Sequence, residues 1–206
     1  MADIVSRTLS VHQEHEFLGK LEAVGLTADD AQRVIQSKGN ALAEKVLVVI
    51  RESPSVEVFT LSVNYGQRVE KLLKAGGYDW EDDSLTSKNF PPTRRKTDTV
   101  RLYLIHFNRV IIDGEVTRKL EQLKRELNLR DDPDATIEEL FTLGANPKTR
   151  DLQRQFAIVA RGSVWQDSDG SRHVPALWSD DGERYAYLGW LDRRWGSDYR
   201  FLVVGK

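Results

Sequence analysis

The strongest constraint on this chain is a change of hydrophobic period at Glu52-Ser53-Pro54-Ser55. Upstream, apolar residues recur at helical spacing; downstream, β-branched and aromatic residues crowd together or alternate. A helical pattern does not settle as a strand, nor the reverse. Pro54 disfavours carrying a helix through the junction, and the segment is polar, as a linker should be. The expected architecture is therefore a helical bundle module over residues 1–52 and an α+β domain over 56–206. In the latter, an antiparallel sheet carries helices packed on one face.

Within the first module, Phe17, Leu18, Leu21 and Val24 recur at helical spacing, with Gly25 as the stop. Thr27 is placed to cap a second helix whose first turn holds Asp29 and Asp30. Ala31, Val34 and Ile35 form its apolar stripe. A third helix over 41–51 presents Leu42, Val46, Val49 and Ile50. After the junction, residues 56–65 read as a strand, 67–74 as a short helix and 100–107 as the clearest strand. A charged amphipathic helix is expected over 115–127, and Thr136-Ile137-Glu138-Glu139 is a capping box opening another helix. Residues 156–166, 174–178, 185–191 and 199–204 complete the sheet, with Asp167-Ser168-Asp169-Gly170 and Asp180-Asp181-Gly182 as hairpin turns.

Composition narrows the chemistry. The chain has no cysteine, which removes disulfide frameworks, thiolate nucleophiles and thiolate metal sites, and fits a reducing compartment. The longest apolar run, Val46 to Ile50, falls far below the ~20 residues that cross a bilayer, and Met1 to Ser10 lacks the apolar core of a signal peptide. A cytoplasmic protein with no membrane partner is expected. Net charge is −2, so bulk charge does not drive nucleic-acid binding, although a local patch still can.

No phosphate-cradling glycine loop, no nucleophile elbow and no cofactor motif is present. Asp79, Glu81, Asp82 and Asp83 lie on one loop, but without the glycine and distal glutamate of a calcium loop they read as a solvated acidic edge. His12 and His15 share a helix face with no further donors, so no metal site and no cofactor is expected. His106, in the strongest strand, and His173, beside a turn, have no visible catalytic partner. The densest basic patch is Arg94-Arg95-Lys96, which follows Pro91-Pro92 on a loop of 79–95 that is long for a structureless connection. Trp165, Trp178, Trp190 and Trp195 cluster near the C-terminus, interleaved with Tyr185, Tyr187, Tyr199, Phe201 and several arginines. Such a set fills a core, anchors a protein interface or stacks bases.

At Val63-Asn64-Tyr65, Ala75-Gly76-Gly77-Tyr78-Asp79-Trp80 and Asn89-Phe90-Pro91 the sequence resembles a group of uncharacterised bacterial proteins that share a V-D-Y … A-G-x-Y-D-W … N-F-P pattern. Gln153-Arg154-Gln155-Phe156 and the stretch 199–204 are similar too, and Asn64 departs from the usual Asp. The resemblance spans about residues 58–206 and implies one folded unit, with no activity attached.

These features lead to a non-enzymatic interaction module, its partner a macromolecule and a protein rather than a nucleic acid. The expected partner-binding residues are Arg94, Arg95, Lys96, Tyr78 and Trp80. An RNA/DNA-binding role through the basic loop and aromatic sheet is the first alternative. The second is an enzyme combining carboxylates of Asp79–Asp83 with His106 or His173.

Overall fold

The computed structural model describes residues 10–23, 25–37, 41–93 and 96–206. The chain divides into two compact units, 1–51 and 52–206. In the first unit, helices α1 (Val11–Ala23), α2 (Ala28–Gln36) and α3 (Ala41–Glu52) follow one another. Gly25 takes φ +101°, and Leu26 N–H donates back to the Leu21 carbonyl at 2.9 Å, the glycine-dependent way to end a helix. Thr27 caps α2 reciprocally with Asp30: each accepts the other's backbone N–H, at 3.2 and 3.1 Å. These hydrogen bonds hold the Asp30 carboxyl below its usual pKa. Phe17 and Leu21 of α1 face Leu42, Val46 and Val49 of α3 across an apolar groove. Among the described residues, none of α1 or α2 is buried. A unit this small buries a lower share of its surface than a large domain does.

The second unit is built on a nine-stranded sheet. Its backbone order is β1 (Ser55–Asn64), β3 (Thr97–His106), β11 (Tyr199–Gly205), β6 (Ala157–Val159), β8 (Arg172–Asp180), β9 (Glu183–Trp190) and β2 (Trp80–Glu81). Strand β5 (Leu129–Asp134) adds to β11, and β7 (Trp165–Gln166) adds to β8. Strands β4 (Ile111–Ile112) and β10 (Arg194–Trp195) pair separately. The α+β class, helices first and sheet after, is as expected. The sheet is mixed, however, rather than wholly antiparallel: β6 lies parallel to β11, and β2 parallel to β9. Both parallel partners are far apart in sequence, so no hairpin turn announces them.

Alternation along the strands gives the sheet two buried faces. Leu102 and Leu104 of β3 join Leu72 and Leu73 of α4 (Val69–Gly76) and Leu140 and Phe141 of α6 (Ile137–Ala145). Their neighbours Tyr103 and Ile105 point the other way, into a second cluster with Val116 and Leu120 of α5 (Asp113–Leu123), Phe201 and Trp195. Helices therefore cover both faces, where one was expected. The reason is β3 and β11, whose runs of apolar residues are buried at every position and cannot leave a face to water.

Candidate functional site

The element that organises the site is a buried arginine whose guanidinium meets no carboxylate among the described residues. Arg184 in β9 is 1% exposed, and its guanidinium donates to the carbonyls of Gly76 at 2.7 Å and Gly144 at 2.6 Å, and to Gln153 Oε1 at 2.9 Å. Gly76 ends α4 and Gly144 lies at the end of α6, so the cation meets the negative poles of two helices. The Tyr78 ring lies under it at 4.9 Å. A Cβ at Gly76 or Gly144 would come within 2.3 Å or 2.2 Å of Tyr78, so both glycines are needed for the ring to pass. Asp79 then clasps the backbone of the same arginine: Oδ2 accepts the Arg184 N–H at 2.7 Å, and the Asp79 N–H donates to the Arg184 carbonyl at 2.8 Å. The Ala75-to-Trp80 segment is thus threaded around Arg184, and its last residue enters the sheet as β2.

That threading sets Trp80 level with Tyr185 in β9, and Tyr185 is level with Trp178 in β8. Trp80 and Tyr185 have ring centroids 6.3 Å apart, and Trp178 and Tyr185 5.8 Å apart. Continuing the ladder from Ile158↔Leu177 sets Ala157 of β6 beside Trp178, and Ala157 is registered with Tyr199 of β11. Five strands thereby contribute one row across the sheet, with the smallest side chain, Ala157, as its floor. Asp82 and Tyr187, two residues on from Trp80 and Tyr185, share the same face. The outcome is a groove of about 410 Å³ lined by Trp80, Asp82, Trp178, Tyr187, Asp198 and Tyr199. It continues the second core cluster, to which Tyr187 and Tyr199 belong at its margin.

Aromatic surface that would ordinarily be buried is open here: Trp80 is 49% and Trp178 40% exposed. At the inner end, the Tyr187 and Tyr199 hydroxyls bond each other at 3.0 Å, and burial raises the Tyr187 pKa. The rim is acidic. The Tyr185 hydroxyl donates to Glu183 at 2.7 Å, a bond that pushes its pKa up to about 12, with Asp180 and Asp79 adding to the rise. Asp82 Oδ1 accepts the Ser84 N–H at 2.8 Å, which fixes the carboxylate and leaves its second oxygen uncommitted among the described residues. Arg193 lies 5.3 Å over the Tyr199 ring, and Asp198 acts on nearby Arg200. The groove thus combines aromatic rings with carboxylates, a pairing suited to an organic cation, with Arg193 and Arg200 on its Asp198 side.

Of the partner-binding residues expected from the sequence, Trp80 lies in this groove. Tyr78 does not: it packs against Phe141 at 5.9 Å with its hydroxyl sealed from solvent, because the helix-end carbonyls draw Arg184 inward and the ring follows. Lys96 is exposed on the other side of the unit's β1–β3 edge, pairing with Asp98 at 2.7 Å while its carbonyl accepts the Tyr65 N–H. Arg94 and Arg95 lie outside the described residues. The acidic loop divides its duties: Asp79 serves Arg184 and Asp82 the groove. His106 bonds the Ser197 carbonyl at 2.7 Å, and burial lowers its pKa. His173 bonds Asp167 at 2.8 Å between the rings of Trp165 and Trp190. Asp167 also accepts the N–H groups of Asp169 and Ser171, so this pair serves the β-turn. Neither histidine lines the groove. Among the described residues, no cluster of three potential metal ligands forms, and no helix is long and apolar enough to cross a membrane.

Sequence reasoning set Trp178, Tyr187, Tyr199 and Arg184 in the aromatic and arginine cluster and Asp82 on the acidic loop, but it did not join them into one site, and it did not single out Asp198. Trp178 carried one signal: it occupies the same strand face as Val174 and Ala176 but sits next to the acidic turn, where that face emerges from cover.

Protein-family models, curated proteins and solved structures give no match to this chain. The class of protein it represents is accordingly set by its own geometry: an α+β unit with an open aromatic groove, rimmed by carboxylates, on one face of a mixed sheet.

Proposed function

We propose that the protein is a cytoplasmic, non-enzymatic interaction module whose C-terminal unit docks a positively charged segment of a partner protein in the groove. The observation that carries the reading is the row Trp80–Tyr185–Trp178, held open on the sheet beside Asp82 and Asp198. Rigid aromatic anchors with a polar rim are the composition of protein-recognition surfaces. Backbone pairing on both sides of β9 and the Arg184 latch preorganise the row, so little ordering entropy is lost on binding.

The test uses intrinsic tryptophan fluorescence against three probes: a short oligolysine peptide, an oligoglutamate peptide and a single-stranded oligonucleotide. The expected result is a saturable change with oligolysine that weakens steeply with salt and is lost in Trp178→Ala. A response to the oligonucleotide and not to oligolysine would transfer the function to nucleic acid and to the basic loop at Arg94-Arg95-Lys96. Turnover of a substrate by the purified protein would remove the non-enzymatic reading.

A further inference from the structure

Resting on that reading, we infer that the groove selects a methylated lysine side chain of the partner protein. The alkylated ammonium would be seated against the rings of Trp80, Trp178 and Tyr187, with Asp82 and Asp198 at the mouth.

Two observations point to this ligand. First, aromatic rings make up much of the groove's lining, and its two tyrosine hydroxyls already bond each other at 3.0 Å. A methylated ammonium needs few hydrogen-bond acceptors, since its charge is spread over C–H groups that rest against aromatic rings. Second, the aromatic set already takes a cation from the chain itself: Arg193 sits 5.3 Å from the Tyr199 centroid and 5.5 Å from that of Trp195. Among the described residues no such cation covers Trp80, Trp178 or Tyr185.

The source is a protein rather than a free small cation because the negative charge extends past the dimensions of one ion. Glu183 and Asp180 flank the row at the hairpin turn and Asp82 and Asp198 line the groove, which complements a lysine within a basic stretch. Next to this rim β2 also offers an outer backbone edge, since among the described strands it pairs only with β9. An extended segment can lie along such an edge while one side chain enters the groove.

The experiment compares one glycine- and alanine-flanked peptide in three forms, carrying trimethyllysine, unmodified lysine or the neutral tert-butyl isostere. Free choline is a fourth probe. Binding is read from the indole N–H resonances of the tryptophans in the full-length protein. The trimethyllysine peptide is expected to bind about tenfold tighter than its neutral isostere, and tighter than unmodified lysine. Trp178→Ala should weaken it about tenfold, and Asp82→Asn should flatten its salt dependence, with both variants melting like the parent. Equal binding of trimethyllysine and lysine peptides overturns the methyl-lysine assignment and leaves the interaction reading standing. Equal binding of the neutral isostere overturns cation recognition. Tighter binding of choline than of the peptide overturns the protein source, and silence from every probe overturns both readings.

Discussion

At the scale of single residues, the molecule turns on two buried arginines that solve the same electrostatic problem differently. Among the described residues the Arg184 guanidinium meets no acid and relies on neutral acceptors at two helix ends. Replacing it with Met should remove those donors at once and destabilise the unit by about 3 kcal/mol in urea titration, since each orphaned buried acceptor costs about 1–3 kcal/mol. Arg184→Lys should fail to rescue, because one ammonium cannot reach Gly76, Gly144 and Gln153 together; recovery to within 1 kcal/mol of the parent would refute the latch. Arg161 instead sits between Asp113, at 2.9 Å, and Asp134, at 3.5 Å. The charges attract, yet Nε, Nη1 and the two carboxylate oxygens they approach lack hydrogen-bond alignment. Burial consequently wins over Arg161, and the Asp134 carboxyl rises to about 6. Its folded pKa lies above its unfolded one, so the native state holds the extra proton between those values. This contribution to stability is complete below about pH 4 and lost as pH rises through about 6. Asp134→Asn should therefore gain on the parent by about 2 kcal/mol between pH 4 and pH 7, read from denaturant midpoints at each pH. An identical pH slope in both proteins would refute it.

At the scale of elements, α4 shows how local sequence and distant chain share one task. Its first residue follows Arg68, which makes no side-chain cap, and the missing acceptor comes from the long loop: Ser87 Oγ takes the Val69 N–H at 2.9 Å. Glu70 closes the exchange by accepting the Ser87 N–H at 2.9 Å and its hydroxyl at 2.7 Å, which lowers its pKa to about 2. Ser87→Ala should cost about 1 kcal/mol, the usual worth of a cap, and raise the Glu70 pKa toward its ordinary value. Because the folded pKa is depressed, the parent loses this contribution as pH falls from about 4.5 toward 2, and the variant should lose less. Carbon-detected NMR titration of Glu70 checks both. The same element marks what could be read in advance. The strands of β1 and β3, α6 with its capping box, and the Gly76-Gly77 stop were legible because propensity, period and cap agree there. Strand β5 was not: Arg130-Asp131-Asp132-Pro133 reads as loop, and it becomes a strand only by pairing with β11 on one side, which spares Pro133 a donor it lacks. The two-residue strands β2, β4, β7 and β10 are too short to carry a period at all. Of the site, the aromatic cluster and Trp80 stood out, but which rings are displayed depends on where α5 stops covering the sheet, and no local pattern encodes that.

At the scale of the whole molecule, both apolar clusters and the groove draw all their residues from positions beyond 55. Among the described residues the helical unit contributes none, and α1 and α2 include no buried one. The long-range pairing that closes the larger unit, β1 with β3 and β3 with β11, likewise lies within it. A fragment comprising 52–206 should therefore fold by itself. Its thermal midpoint by circular dichroism should fall within a few degrees of the full chain, with about 1 kcal/mol corresponding to roughly 2–4 °C at this size. The fragment should also keep the tryptophan response to a trimethyllysine peptide, with unchanged affinity. A fragment that folds but no longer binds would move the docking surface to include the helices, whose Phe17–Leu42–Val49 groove would then be the next face to mutate. A fragment that does not fold would show that the larger unit draws stability from the smaller one. The reading of residues 52–206 as a self-sufficient unit would fail with it.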